Sequence, residues 1–324
     1  LIEESLFCGA YAVIGSNDVL EATVVPSWGS NLIRLRHKSS GIDIFRTPES
    51  AEAFWNMPVL YGVPILFPPN RIENGVFEYD GKTYRFHLNE PAEHNHSHGV
   101  LFDRPWKLLS AKMEDERIII ETEICSGDDP WIFEQISQHF RVRMMYTLTG
   151  NKLEKTITVV NESEGPLPCG IGFHTTFRYP LAPDGSVERC RFSLSAKEQW
   201  LLNDRFLPTG ERRKLADDAA LRKGISLADY AMDDVFTADW QNGNEAVLED
   251  PDASLRIVYR ADEHFKFWVV YNADAKQGYL CPEPYTWVTN APNLQLPSEE
   301  TGFRALPPGA KMRAKCEIII EGIR

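Results

Sequence analysis

The chain has 324 residues, 43% of them hydrophobic and 25% charged, with 47 acids against 34 bases and a net charge of −13. That balance is the one of a globular protein with ample material for a core, so neither disulfides nor metals are needed for folding. An acidic surface argues against binding nucleic acid or an anionic membrane, since both are recognised through clustered basic groups.

No run of eighteen apolar residues occurs, so no membrane-spanning helix is expected. Leu1-Ile2-Glu3-Glu4 lacks the basic-then-apolar pattern of a signal peptide. The six cysteines, Cys8, Cys125, Cys169, Cys190, Cys281 and Cys316, lie far apart without a C-x-x-C pair. They are expected to be reduced and mostly buried, with the cytoplasm as the default compartment.

In chain order, the texture is of short β-like segments broken by polar turns. Ala10 to Gly15, Glu21 to Val25 and Leu32 to Leu35 come first. Tyr79-Asp80-Gly81-Lys82-Thr83-Tyr84 places an Asp-Gly turn between aromatic flanks and predicts a hairpin. Arg117 to Ile124 is rich in β-branched residues. Phe140 to Leu148 alternates, turns at Thr149 to Lys152, and returns as Leu153 to Val160, a long hairpin. Ser254 to Tyr259, Phe265 to Tyr271 and Ala314 to Ile320 also read as strands. Helical periods are short: Thr47 to Phe54, Pro130 to Ile136, and the stretch around Asp217 to Leu221. The charged stretch Asn203 to Lys223 reads as a long surface excursion. Strands do not alternate with long helices, and no repeat or linker interrupts the chain, so the expectation is a single all-β domain over residues 1–324.

Four places combine chemistry with rigid or tight backbone. Pro68-Pro69-Asn70-Arg71 offers a guanidinium fork on a stiff loop. Glu93-His94-Asn95-His96-Ser97-His98-Gly99 could converge three histidines on one strand face. This is a possible metal site, but one without a clear downstream carboxylate; alternatively His98 alone is functional, with His94 and His96 exposed. His174 sits in the apolar run Gly170 to Phe177, and Glu283 lies between Pro282 and Pro284. Taken singly, each has a bland structural reading. Together, two histidines, an arginine and a rigidly held glutamate are suited to taking a proton at one atom and delivering one at another near neutral pH. G-x-S-x-G, a Walker loop and G-x-G-x-x-G are all absent, so the expectation is proton chemistry on a neutral polar substrate, without a cofactor or a metal.

The order Asn70-Arg71, Asn95-x-x-His98-Gly99, Gly172-x-His174, Asp233-x-x-Phe236, Glu283 resembles the aldose 1-epimerase (mutarotase) family over nearly the whole chain, with support from Asp103-Arg104-Pro105-Trp106 and Leu207-Pro208-Thr209-Gly210-Glu211. The resemblance implies a large antiparallel β-sandwich of the galactose mutarotase type with few short helices and a sugar cleft. It implies Glu283 as general base, His174 as general acid, His98 as a second histidine at the ring oxygen, and Asn70, Arg71 and Asp233 as sugar-binding residues. Asp233 is followed by Asp234, and the Asp-x-x-Phe spacing favours Asp233. Beside His174 the chain reads Thr175-Thr176-Phe177, where many relatives carry Pro or Tyr.

Trp287 and Tyr285 could stack on a sugar or simply pack. Two other readings stand beside the free-sugar epimerase. One is an epimerase of phosphorylated sugars, drawing on Arg71, Arg104 and Arg178. The other is a sugar-binding protein without turnover. The partner expected in every case is a small sugar, and the oligomeric state is open.

Overall fold

The computed structural model describes residues 1–216 and 219–323, which build antiparallel β-sheets with few short helices. The first five strands, from Ile2–Phe7 to Ile42–Asp43, form a meander in sequence order. An eight-stranded sheet follows the order Lys107–Glu114, Arg117–Cys125, Phe140–Thr149, Lys152–Asn161, Lys311–Gly322, Leu255–Ala261, Glu245–Asp250, Arg191–Leu194. The long hairpin expected from sequence is its centre, with Phe140 opposite Asn161 and Thr149 opposite Lys152.

A second large sheet carries the cleft. Its path is Pro208–Lys214, Ala196–Leu202, Asp233–Ala238, Phe267–Tyr271, Tyr279–Tyr285, Gly172–Phe173, Ile65–Leu66, with Phe177–Arg178 also on Tyr279–Tyr285. Every residue of Tyr279–Tyr285 is buried. Alternation splits them: Leu280 joins the main core with Trp268 and Val270, whereas Tyr285 packs with Val269 in a separate cluster on the other face.

The remaining local readings hold with shifts that have physical reasons. Asp80 and Gly81 both take positive φ, 51° and 73°, closing the two-residue hairpin between Val76–Tyr79 and Lys82–Arg85. Pro130–Ile136 is helical, capped by the Asp129 carboxylate. The helix expected over Thr47 to Phe54 instead runs Ala51–Asn56, because the Ser50 side chain accepts from Ala53 N–H and starts it there. Of the stretch around Asp217 to Leu221, residues 217 and 218 lie outside the described residues, and a turn of helix occupies Ala220–Lys223. The surface excursion from Asn203 is corrected in its first half, where Pro208–Lys214 returns as a strand against Ala196–Leu202. No described helix is long and apolar enough to cross a membrane. All six cysteines are free, four of them buried and Cys8 exposed.

Candidate active site

A cleft of about 570 Å³ opens on the second sheet, and Asn70, Arg71, His98, His174, Asp233 and Glu283 all line it. Glu283 reaches it from the centre of Tyr279–Tyr285. Its partner across the ladder is Val269, and Tyr271 faces Asp233 in the adjoining row. Residues two apart on a strand share a face, so Tyr285 stands beside Glu283 and donates its hydroxyl proton to the carboxylate. The flanking prolines fix φ on either side of the glutamate. On the far side of the strand, pairing is confined to Gly172 with Tyr285 and to Phe177–Arg178 with Tyr279 and Leu280. In the gap between, His174 leaves the ladder, donates its N–H to Pro64 O at 3.0 Å, and points its ring at Glu283. Gly172 is required there: a Cβ would lie 2.4 Å from Tyr285 Cδ1.

His174 Nε2 and Glu283 Oε1 are 3.3 Å apart, both side chains almost wholly buried. The His98 ring meets His174 edge to face at 5.1 Å between centroids. Burial works on all three in the direction of neutrality. It holds Glu283 well above the usual carboxylate range, opposed by the Tyr285 hydroxyl and the Arg71 guanidinium. It pulls His174 down to about 4, and His98 well below an ordinary histidine, with His174 and Arg71 adding to the effect.

The Asn70-Arg71 and His98-Gly99 segments are held together as one unit. Asn70 takes a left-handed φ of 53°, its carbonyl accepts from His98 N–H at 3.0 Å, and Arg71 pairs with Ser97 across a short ladder. Gly99 cannot be replaced without strain: φ is +74° and a Cβ would sit 2.3 Å from the Phe67 carbonyl. Asn70 Nδ2 donates to the Tyr285 hydroxyl at 3.3 Å, linking this unit to Glu283. Arg71 Nε donates to Glu90 at 2.8 Å and its Nη2 to Asp233 at 3.3 Å. Asp234 faces away and accepts from Gln199, so Asp233 is the cleft aspartate of the pair.

The three-histidine convergence does not form. Left-handed φ at His94 (54°) and His98 (70°) breaks the alternation on either side of Asn95–Ser97. His94 is exposed. His96, expected to be exposed, is instead buried against Phe86 with Nδ1 on His87 O at 2.7 Å. The cluster of acids and a histidine close enough to share an ion among the described residues is Asp262, Glu263 and His264, none of which lines the cleft. Trp287 is buried and stacked on Phe303, so it packs rather than faces the cleft.

Two contributors escaped sequence reasoning, Glu90 and Phe206. Tyr285, expected to stack on a sugar or to pack, packs in a buried cluster, and its bond to Glu283 was readable in principle, two residues away on a strand. Glu90 and Phe206 gave no local signal. Phe206 sits at the tip of the 203–207 turn in a left-handed φ of 58°, 39% exposed, with the Arg71 guanidinium 4.9 Å above its ring. Arg205 clamps that turn to the Arg71 unit by donating to Glu73 Oε1 at 2.7 Å, Glu93 O at 2.7 Å and Asn74 Oδ1 at 3.0 Å.

Comparison with known proteins places this architecture. The sequence model of the family described as aldose 1-epimerase matches residues 14–318. A solved structure of a galactose mutarotase-like protein from Clostridium acetobutylicum superimposes with a TM-score of 0.94 at 28% identity, covering 100% of this chain and 99% of that one. The uncharacterized protein YphB of Escherichia coli (strain K12) is 24% identical over 307 residues, 89% of this chain and 98% of its own. Galactose mutarotase of Bos taurus is 25% identical over 229 residues, 67% of this chain and 62% of its own.

Proposed function

The chain belongs to the aldose 1-epimerase family, and we propose that it interconverts the α and β anomers of a free aldose by ring opening and closure, with Glu283 and His174 as the proton-transferring pair. The observation that carries this reading is the 3.3 Å approach of the buried carboxylate to the buried imidazole. The anomeric hydroxyl and the ring oxygen are bonded to one carbon, so a base and an acid serving them must lie side by side.

Glu283 as carboxylate takes the proton of the anomeric hydroxyl. The C1–O1 bond becomes a carbonyl as the C1–ring oxygen bond breaks, and His174 as imidazolium protonates the released oxygen. Rotation about C1–C2 turns the other carbonyl face to the hydroxyl, and reversal of both transfers closes the ring. Opening leaves a protonated Glu283 beside a neutral His174. That is the proton arrangement which burial favours, so both transfers of the opening step run in the direction of the two shifts. His98, which lines the cleft beside His174, would hold the ring oxygen. Arg71, Asp233 and Asn70 would bind sugar hydroxyls, and Phe206 would lie against a C–H face.

An unphosphorylated substrate fits the charges better than a sugar phosphate. Among the described lining residues Arg71 is the sole lysine or arginine, and Glu90 and Asp233 already engage it. Arg104 is bound to Asp129, and Arg178 does not line the cleft. The test is polarimetry on freshly dissolved α-D-glucose and α-D-galactose. Faster relaxation to the same final rotation supports the reading. Binding of either sugar without acceleration would overturn it in favour of a sugar-binding protein.

A further inference from the structure

Lys155 occupies an inward position where its strand calls for a hydrophobe. The core-facing residues of Lys152–Asn161 are Leu153, Lys155, Ile157 and Val159, all with no exposed surface. Lys155 lies opposite Cys316 in the ladder, and no carboxylate of the described residues comes within ion-pair distance of it. An unpaired ammonium in such a place is strongly disfavoured relative to water, and burial pulls it down to about 7.

What it touches is specific. Its Nζ donates to Thr175 Oγ1 at 3.1 Å and to the Tyr259 hydroxyl at 2.5 Å, and lies 4.2 Å from the centre of the Phe173 ring. Phe173 and Thr175 are the two neighbours of His174. Along extended backbone they face the core while His174 faces the cleft. The ammonium therefore spans the sandwich from the eight-stranded sheet and grips both flanks of the imidazole-bearing residue from behind.

We propose that Lys155 is a positioning residue of the candidate catalytic pair: it fixes the Phe173–Thr175 segment and so keeps the His174 ring aimed at Glu283. The inference rests on the reading of His174 as the proton donor.

A methionine of similar length would fill the space without a charge. It would also leave no polar atom stranded, because Thr175 Oγ1 and the Tyr259 hydroxyl are already 2.9 Å apart and can bond each other. The fold thus has no need of the ammonium, and a structural role and a positioning role predict different things.

The experiment compares Lys155→Met, Thr175→Val and the double variant by thermal unfolding, by anomerisation kinetics, and by NMR of the histidine rings, with His174 assigned through His174→Asn. Lys155→Met should unfold at the wild-type temperature or above it. Its kcat should fall on the order of tenfold or more, the scale expected of a misaimed catalytic group, with KM within about twofold. The double variant should be no slower than the worse single one, since both changes break the same link. The single His174 ring signal should broaden or split.

Wild-type kcat together with unchanged ring signals would overturn the proposal, as would a loss of kcat that tracks a loss of thermal stability. If the wild-type protein accelerates no anomerisation, the functional reading falls, and the ring signals alone decide: an unaltered His174 spectrum in Lys155→Met refutes the positioning role.

Discussion

Tyr285→Phe isolates the control of basicity from shape. The phenol donates to Glu283 and accepts from Asn70 Nδ2 at 3.3 Å. Its bond to the carboxylate favours the ionised form, opposing the burial that raises Glu283. A buried hydrogen bond to a charged group contributes about 1.5–3 kcal/mol, and about 1.4 kcal/mol corresponds to a factor of ten. Removing the hydroxyl should therefore raise Glu283 further, because the bond that favours its ionised form is gone. Glu283 must be ionised and His174 protonated, and burial sets Glu283 above His174, so Glu283 governs the basic limb of the pH–rate profile, and that limb should move up. Below the wild-type limb the variant should be roughly ten- to a hundredfold slower, and above the new limb the two profiles should converge. Polarimetric rates from pH 4.5 to 8.5 read this directly. Superimposable profiles, or a deficit equal at every pH, would refute the reasoning.

Gly172→Ala should couple fold and site. The new Cβ would meet Tyr285 Cδ1 at 2.4 Å and Pro69 Cβ at 2.9 Å, so overpacking should lower stability by about 1–3 kcal/mol in urea unfolding and reduce turnover by displacing the tyrosine. Phe206→Ala should raise KM by roughly five- to tenfold, about 1–1.4 kcal/mol of lost contact, while leaving kcat within about twofold; initial-rate kinetics would show it. His96 is buried and held at about 4 by burial, so the unfolded chain binds a proton between pH 6.5 and 4 that the native protein refuses. Its contribution to stability, on the order of 3 kcal/mol, is complete above pH 6.5 and lost as pH falls toward 4. His96→Asn should flatten the fall of melting temperature across that window.

The strand texture was legible because alternation and turn chemistry are local. Asp80-Gly81 and the Phe140–Asn161 hairpin needed nothing beyond their own residues. Sheet order was not, because pairings such as Lys155 with Cys316 join positions distant in sequence whose partners no periodicity names. The six candidate residues do line one cleft, and Asp233 rather than Asp234 faces it. The histidine run misled for a physical reason: alternation applies only to extended backbone, and left-handed φ at His94 and His98 re-aims the side chains so that His96 enters the core. Glu90 and Phe206 reach the cleft through tertiary contacts to Arg71, which sequence spacing does not encode. Lys155 was visible as a lysine among inward-facing hydrophobes, but its meaning depends on Thr175 across the sandwich.

The Glu283 carboxylate is proposed as the base for the anomeric proton. The most direct measurement is the relaxation of optical rotation of fresh α-D-glucose and α-D-galactose with wild-type protein and with Glu283→Gln at equal concentration, the fold of each checked by circular dichroism. Acceleration by the wild type with at least one sugar is expected, with a loss on the order of 10²–10⁴-fold in a folded Glu283→Gln protein. Near-wild-type acceleration by the variant would contradict the assignment.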